Sequence, residues 1–189
     1  MGKHTVKFKC RHCLHCCTDL VALPTPWDVI RIAKATGEHP RKFVEFLPSD
    51  EVDEVEKKDP TWLKCHGERF IMALKRHPKR GCYFVTRKKG KCKIYEVRPI
   101  LCRLFPFKLQ ESRSGKFRGF TLHKDVACPR HRGDIVETAP LYALWQDESK
   151  HQDDYHVLVR VFNRKRYKGK KPEDFLDMFY ADGRPARGA

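Results

Sequence analysis

A chain of 189 residues can bury roughly 70% of its unfolded surface around one core and needs no covalent staples, and with no uncharged run of about twenty apolar residues it has no membrane span. Lys and Arg number 40 against 24 Asp and Glu, and the resulting net charge of +16 favours contact with nucleic acid or another polyanion without identifying one. The nine cysteines are odd in number and include an adjacent pair, a poor fit to a disulfide framework; residues 1–9 lack an apolar leader, so the expectation is a cytoplasmic protein with reduced thiols.

In chain order, Thr25-Pro26-Trp27-Asp28 reads as a helix start, with Thr25 as cap, Pro26 in the first turn and Asp28 where a capping box places its acid. The helix should run to about Ala35, and Gly37 supplies the stop. Residues 40–47 suggest a short second helix with Phe43, Val44, Phe46 and Leu47 turned inward, followed by an acidic surface segment over 50–56. Residues 69–74, 82–86 and 91–95 are rich in aromatic or β-branched side chains and read as strands, with Arg87-Lys88-Lys89-Gly90 as a hairpin turn. Residues 104–109 and 117–122 form another pair around Ser114-Gly115. Beyond Cys128-Pro129 the pattern turns helical: Leu141, Leu144, Trp145, Val157, Leu158, Val161 and Phe162 fall in a long stretch that ends near the basic run 164–171. A last helix over 172–180 carries Phe175, Leu176 and Phe179 on one side, and the tail 182–189 should be loose. The expected fold class is α+β: a small metal-stabilised domain of short β-hairpins and helices over 1–135, with a basic helical C-terminal extension over 136–189.

Eight cysteines form a spaced array. Cys10, Cys13, Cys16 and Cys17 lie in one tight cluster, and Cys82, Cys92, Cys102 and Cys128 follow. Thiols at two intervening residues, then none, let a short loop aim several sulfurs at a soft metal ion or an iron-sulfur cluster. Adjacent backbone positions point Cys16 and Cys17 in different directions, which suggests two centres, or one multinuclear cluster. Cys10, Cys13 and Cys16 match the first three positions of a bacterial ferredoxin run and Cys128-Pro129 echoes its closing Cys-Pro, although the last spacing differs. Zinc accepts CxxC knuckles equally well, so both cofactors stay open. His12, His15, His66, His123 and His131 are candidate substitute ligands that read as ordinary surface histidines, and Cys65, outside the array, reads as a buried free thiol.

The stretch from Cys92 to Pro106, with Ile94-Tyr95, Arg98-Pro99, Cys102-Arg103 and Phe105-Pro106, resembles, together with Cys10 to Cys17, the YkgJ-type CxxCxxCC family of zinc- or iron-chelating or iron-sulfur proteins. The resemblance covers roughly residues 10–130 and implies Cys10, Cys13, Cys16, Cys17, Cys82, Cys92, Cys102 and Cys128 as ligands. Some relatives are linked to flagellin lysine N-methylation, which makes a factor in protein lysine methylation one expectation. Arg98 and Arg103 could offset thiolate charge or hydrogen-bond to sulfur; the competing reading pairs Arg98 with Glu96. Tyr95 and Phe105 would pack over the site and keep out water, while Pro99 and Pro106 fix the path of the loop.

Four basic clusters remain: 75–80, 87–89, 130–132 and 164–171. They make Lys79, Arg80, Lys88, Lys89, Arg164, Lys165, Arg166 and Lys168 candidate nucleic-acid contacts. No GxGxxG, HExxH or GxSxG motif is present, so no catalytic residue is assigned. Three uses compete: electron transfer or support of a modification enzyme by an iron-sulfur centre, a structural zinc module that binds nucleic acid, and the methylation-related role.

Overall fold

A computed structural model gives the fold and describes residues 5–10, 12–53, 55–86, 91–123, 133–165 and 169–181, with the backbone of 184–185. The elements run β1 (Thr5–Lys7), α1 (His15–Thr18), α2 (Pro26–Thr36), β2 (Val44–Pro48), β3 (Leu63–Cys65), β4 (Glu68–Leu74), β5 (Arg76–His77), β6 (Gly81–Cys82), β7 (Val85–Thr86) and β8 (Lys91–Cys92). They continue as α3 (Ile100–Leu104), β9 (Phe107–Glu111), β10 (Phe117–Leu122), β11 (Ile135–Glu137), α4 (Thr138–Arg164), β12 (Tyr180–Ala181) and β13 (Arg184–Pro185). Among the described residues, the 3₁₀ turns Pro40–Lys42, Tyr95–Val97 and Pro172–Met178 join them. The architecture is α+β, built from small antiparallel sheets.

Helix α2 forms as its sequence dictates. The Asp28 amide donates to Thr25 Oγ1 at 3.3 Å and the Thr25 amide donates back to Asp28 Oδ2 at 3.0 Å, a reciprocal box that satisfies two end amides. Gly37, at φ 69°, ends the helix and donates to the Ala33 carbonyl. Its inward face carries Val29, Ile32 and Ala33.

That face packs on the sheet β2-β4-β3, in which β4 is central and its Ile71, Met72, Ala73 and Leu74 are all buried. Helix α4 and the 3₁₀ turn Pro172–Met178 close the same core, with Tyr155, Val159, Phe162, Phe175 and Leu176 buried beside Val29, Leu63 and Met72. Each fully buried side chain of this size contributes roughly 1.5–3 kcal/mol. A second, smaller cluster joins Val52 from the acidic segment to Trp62 and Ile71.

Several sequence expectations need correction. Residues 40–47 are not a helix: Pro40 opens a single 3₁₀ turn, and Val44 to Pro48 become a strand because β4 offers a ladder, Val44 opposite Leu74 and Phe46 opposite Met72. Long-range pairing here outweighs local propensity. Residues 82–86 are two two-residue strands, since Tyr83 and Phe84 turn out of the ladder and Phe84 enters the core. The strand expected over 91–95 stops at Cys92. β7 and β8 pair as a hairpin, Val85 opposite Cys92, whose turn at 87–90 lies outside the described residues. Leu104 closes α3 rather than opening a strand, while β9 and β10 pair as expected. The last helix is 3₁₀ and stops at Met178. Within α4, Val157 and Val161 are exposed, and the inward face is Tyr155, Val159 and Phe162. The tail expected to be loose lies outside the described residues except for β13, which pairs with β12.

Candidate metal centre

The loop that carries the first cysteines reaches α1 through two residues in the left-handed region, His12 at φ 52° and Leu14 at φ 64°. From there a single helical turn forms: the Leu14 carbonyl accepts from the amides of Cys17 at 2.7 Å and Thr18 at 2.9 Å. The turn sets Cys16 and Cys17 side by side, with their Sγ atoms 3.7 Å apart. This corrects the expectation that adjacent thiols diverge; side-chain torsions overcome the rotation between successive helical positions. Two sulfurs each ~2.3 Å from one tetrahedral ion stand about 3.8 Å apart, so the pair has the spacing of two corners of one thiolate tetrahedron.

Three distant thiols join their electrostatic neighbourhood. The Cys17 thiol is pushed well above its ordinary value, first by its hydrogen bond with Cys16, then by burial and by the charges of Cys16, Cys92 and Cys82. Cys82 is raised by burial, with Cys92 and Cys16 adding to it, and Cys92 by burial together with Cys16. Burial also raises Cys102, reinforced by Cys82, Cys16, Asp28 and Cys92. Cys16 alone moves down, to about 7, because Cys17 hydrogen-bonds to its sulfur and Arg98 lies nearby. Five thiols therefore share a partly buried region where ionising all of them at once is unfavourable without a cation. This donor set suits a thiophilic metal. Among the described residues no three His, Cys, Asp or Glu side chains close into a complete metal-binding group. Cys10 and Cys13 are exposed, and Cys128 lies outside the described residues. The described cysteines are all free thiols.

Buried Asp28 ties this region together. Besides serving the capping box, its Oδ1 accepts from the Ile100 amide at 3.2 Å, at the start of the helix that carries Cys102. Arg31 donates to the same oxygen at 2.5 Å and also to the carbonyls of Arg98 at 2.9 Å and Val97 at 3.4 Å. One turn of α2 thus holds the whole approach to α3. Arg98 in turn donates to the Tyr95 carbonyl at 2.8 Å and stacks its guanidinium 3.8 Å from the Tyr95 ring centroid. Among the described residues it forms no ion pair with Glu96. His12 packs on the same ring at 5.2 Å, so Tyr95 links the first cysteine loop to the Cys92–Cys102 segment.

On the other side, Arg76 donates to the carbonyls of Leu20 and Thr18, the latter at 2.5 Å, and lowers the Cys82 thiol by its charge. Gly81 makes the final approach. It sits at φ 79°, and a Cβ there would lie 2.5 Å from the Cys17 carbonyl oxygen.

Other sequence candidates are placed differently. Arg103 is exposed, and the charge that acts on the thiols is that of Arg98 and Arg76. His15 bonds Asp19 at 2.5 Å, and His123 stacks on Phe105. Cys65 is buried in the main core and its thiol is raised by burial. Lys79, Arg80, Arg164 and Lys165 are exposed, whereas Lys88, Lys89, Arg166, Lys168 and His131 lie outside the described residues. Sequence reasoning missed the Asp28–Arg31 anchor and Arg76. The visible signal for the first was an arginine three residues after a capping-box acid; Arg76 was hidden inside a basic run.

Against known proteins, an uncharacterized protein of Methanocaldococcus jannaschii is 39% identical over 75 residues, which is 39% of this chain and 34% of that protein. The chain thus spans about a third of that relative's length. No solved structure matches. Residues 9–129, nearly two thirds of the chain, match the CxxCxxCC model, described as "Putative zinc- or iron-chelating domain", and the chain belongs to that family.

Proposed function

We propose that this protein holds zinc or iron through its cysteine thiolates, with Cys16, Cys17, Cys82, Cys92 and Cys102 as the inner donors and Cys10, Cys13 and Cys128 completing the set. The observation that carries this reading is the 3.7 Å separation of Cys16 and Cys17 beside three more half-buried thiols. That separation suits two thiolates on one tetrahedral metal, either a lone zinc or iron ion or one iron of a 2Fe–2S cluster. When bound, the metal would neutralise the thiolates and lock the loops together, or carry electrons if it is iron. Arg98 and Arg76 share that neutralising work from the protein side. Tyr95 packs against His12 of the first cysteine loop and so braces it against the Cys92–Cys102 segment. A part in lysine methylation rests on the family resemblance alone.

Anaerobic purification followed by zinc, iron and acid-labile sulfide analysis tests the reading. Stoichiometric zinc, or iron without sulfide, is expected for the mononuclear form; iron with equal sulfide would replace it by an iron-sulfur cluster and favour electron transfer. Cys17→Ser should lose the metal while Cys65→Ala keeps it. A folded wild-type chain that takes up neither metal on reconstitution would overturn the proposal.

A further inference from the structure

Away from the cysteines, α4 and the sheet enclose a groove of about 690 Å³. One wall is the stripe His156, Arg160 and Arg164 at four-residue intervals on one face of α4. The other wall carries Lys57, Lys58, Lys64 and Arg69. Among the described residues none of these six lysines and arginines forms an ion pair. The one acid lining the groove, Asp59, is taken up by the amide and hydroxyl of Thr61. The two walls are fixed relative to each other: Asn163 on α4 accepts from the Lys64 amide at 2.7 Å and donates to the Trp62 carbonyl at 2.9 Å. With six cations against the single carboxylate of Asp59, this is a preorganised concave surface of strongly positive balance, which focuses its field on an anion.

We propose that this groove binds consecutive phosphates of a single-stranded nucleic acid. Its six cations come from separate elements, α4 and the segment 57–69, and outnumber what a lone phosphate can neutralise, so they suit a chain of charges. Recognition runs through the backbone, not the bases. The largest ring in the groove, Trp62, is 3% exposed and has Arg69 over it at 5.8 Å, so it offers no open face for a base to stack on. Binding should therefore be indifferent to sequence and steeply dependent on salt. The groove shares no residue with the cysteine region, so this inference and the metal reading stand or fall separately.

The test is fluorescence anisotropy with a labelled twelve-nucleotide oligouridylate, titrated at several salt concentrations with the full-length, metal-loaded protein. Arg160→Gln/Arg164→Gln should weaken binding about twentyfold at 0.1 M salt and reduce the slope of log K against log salt by about 1.4. The control Arg113→Gln/Lys116→Gln removes the same charge at the exposed β9–β10 turn, outside the groove, and should change affinity less than threefold. Unaltered metal content and melting temperature show that both variants fold. Equal losses in the two variants, an unchanged slope, or no binding by the wild-type chain would overturn the proposal. So would displacement of the oligonucleotide by sodium tripolyphosphate at equal phosphate concentration, which would make the ligand a free polyphosphate.

Discussion

Glu148 is a carboxylate in the wrong place for a charge. It is 4% exposed on α4, its Oε2 has no hydrogen-bond partner among the described residues, and only Gln152 donates to Oε1, at 2.8 Å. Burial raises its pKa to about 7, with the nearby Asp28 charge adding to the shift. Because the folded value lies above the unfolded one, the folded state holds the extra proton, and stability falls as pH rises from about 4.5 to about 7. The loss amounts to ~3 kcal/mol at most. Glu148→Gln keeps the shape and removes the ionisation. The variant should melt higher than the parent at pH 8 and within a degree or two of it at pH 5; thermal denaturation at both values decides, and an equal gain at both would refute the argument. Lys170 shows the opposite solution to the same problem. Its buried ammonium donates to the Phe162 and Lys165 carbonyls at 2.8 and 3.0 Å and lies 4.0 Å from the Phe162 ring centroid, which satisfies the end of α4 with a cation that complements the helix dipole. In the sequence it is one more lysine in a basic run.

Among the elements, the β5–β6 hairpin shows how closely the cysteine segments are fitted. Gly81 and Gly115 both adopt positive φ, at 79° and 73°, but only Gly81 faces an obstacle: a Cβ would meet the Cys17 carbonyl at 2.5 Å and Thr18 Cα at 2.6 Å, whereas nothing lies within 4 Å of Gly115. Gly115→Ala should cost ~1–2 kcal/mol for the left-handed backbone alone. Gly81→Ala carries that cost plus a clash with backbone that cannot rotate away, and it must push the Cys17 turn off β6. The expected result is a larger drop in melting temperature for Gly81→Ala and a weaker hold on added zinc or iron, with metal affinity unchanged in Gly115→Ala. Equal effects on both measurements would show that the close approach is unimportant. Helix α2 was legible because its cap, its acid and its terminating glycine are all local. β2 was not, because its state depends on a partner strand more than twenty residues away.

For the molecule as a whole, the division into residues 1–135 and 136–189 meets a core that draws on both parts. Phe162, Phe175 and Phe179 are essentially inaccessible and pack with Val29, Leu63 and Met72. A fragment ending at residue 135 would expose the inner faces of α2 and β4. It should lack a cooperative melting transition even with zinc or iron added, as monitored by circular dichroism; a fragment that melts sharply would establish the first part as an independent domain. Around this core the charge of +16 is not spread idly, since a groove between α4 and the sheet gathers six of its cations.

Local chemistry was sufficient to mark the thiols, the α2 boundaries, the β9–β10 hairpin and the basic character, because each depends on residues close together in the chain. Which sulfurs share a neighbourhood was decided by contacts across long separations: Asp28 on Ile100, Arg31 on Arg98, Arg76 on Thr18, Gly81 against Cys17. The same holds for the cationic groove, whose walls are about a hundred residues apart in sequence. Spacing along a chain reports what chemistry is available, and only packing of distant segments determines which groups meet.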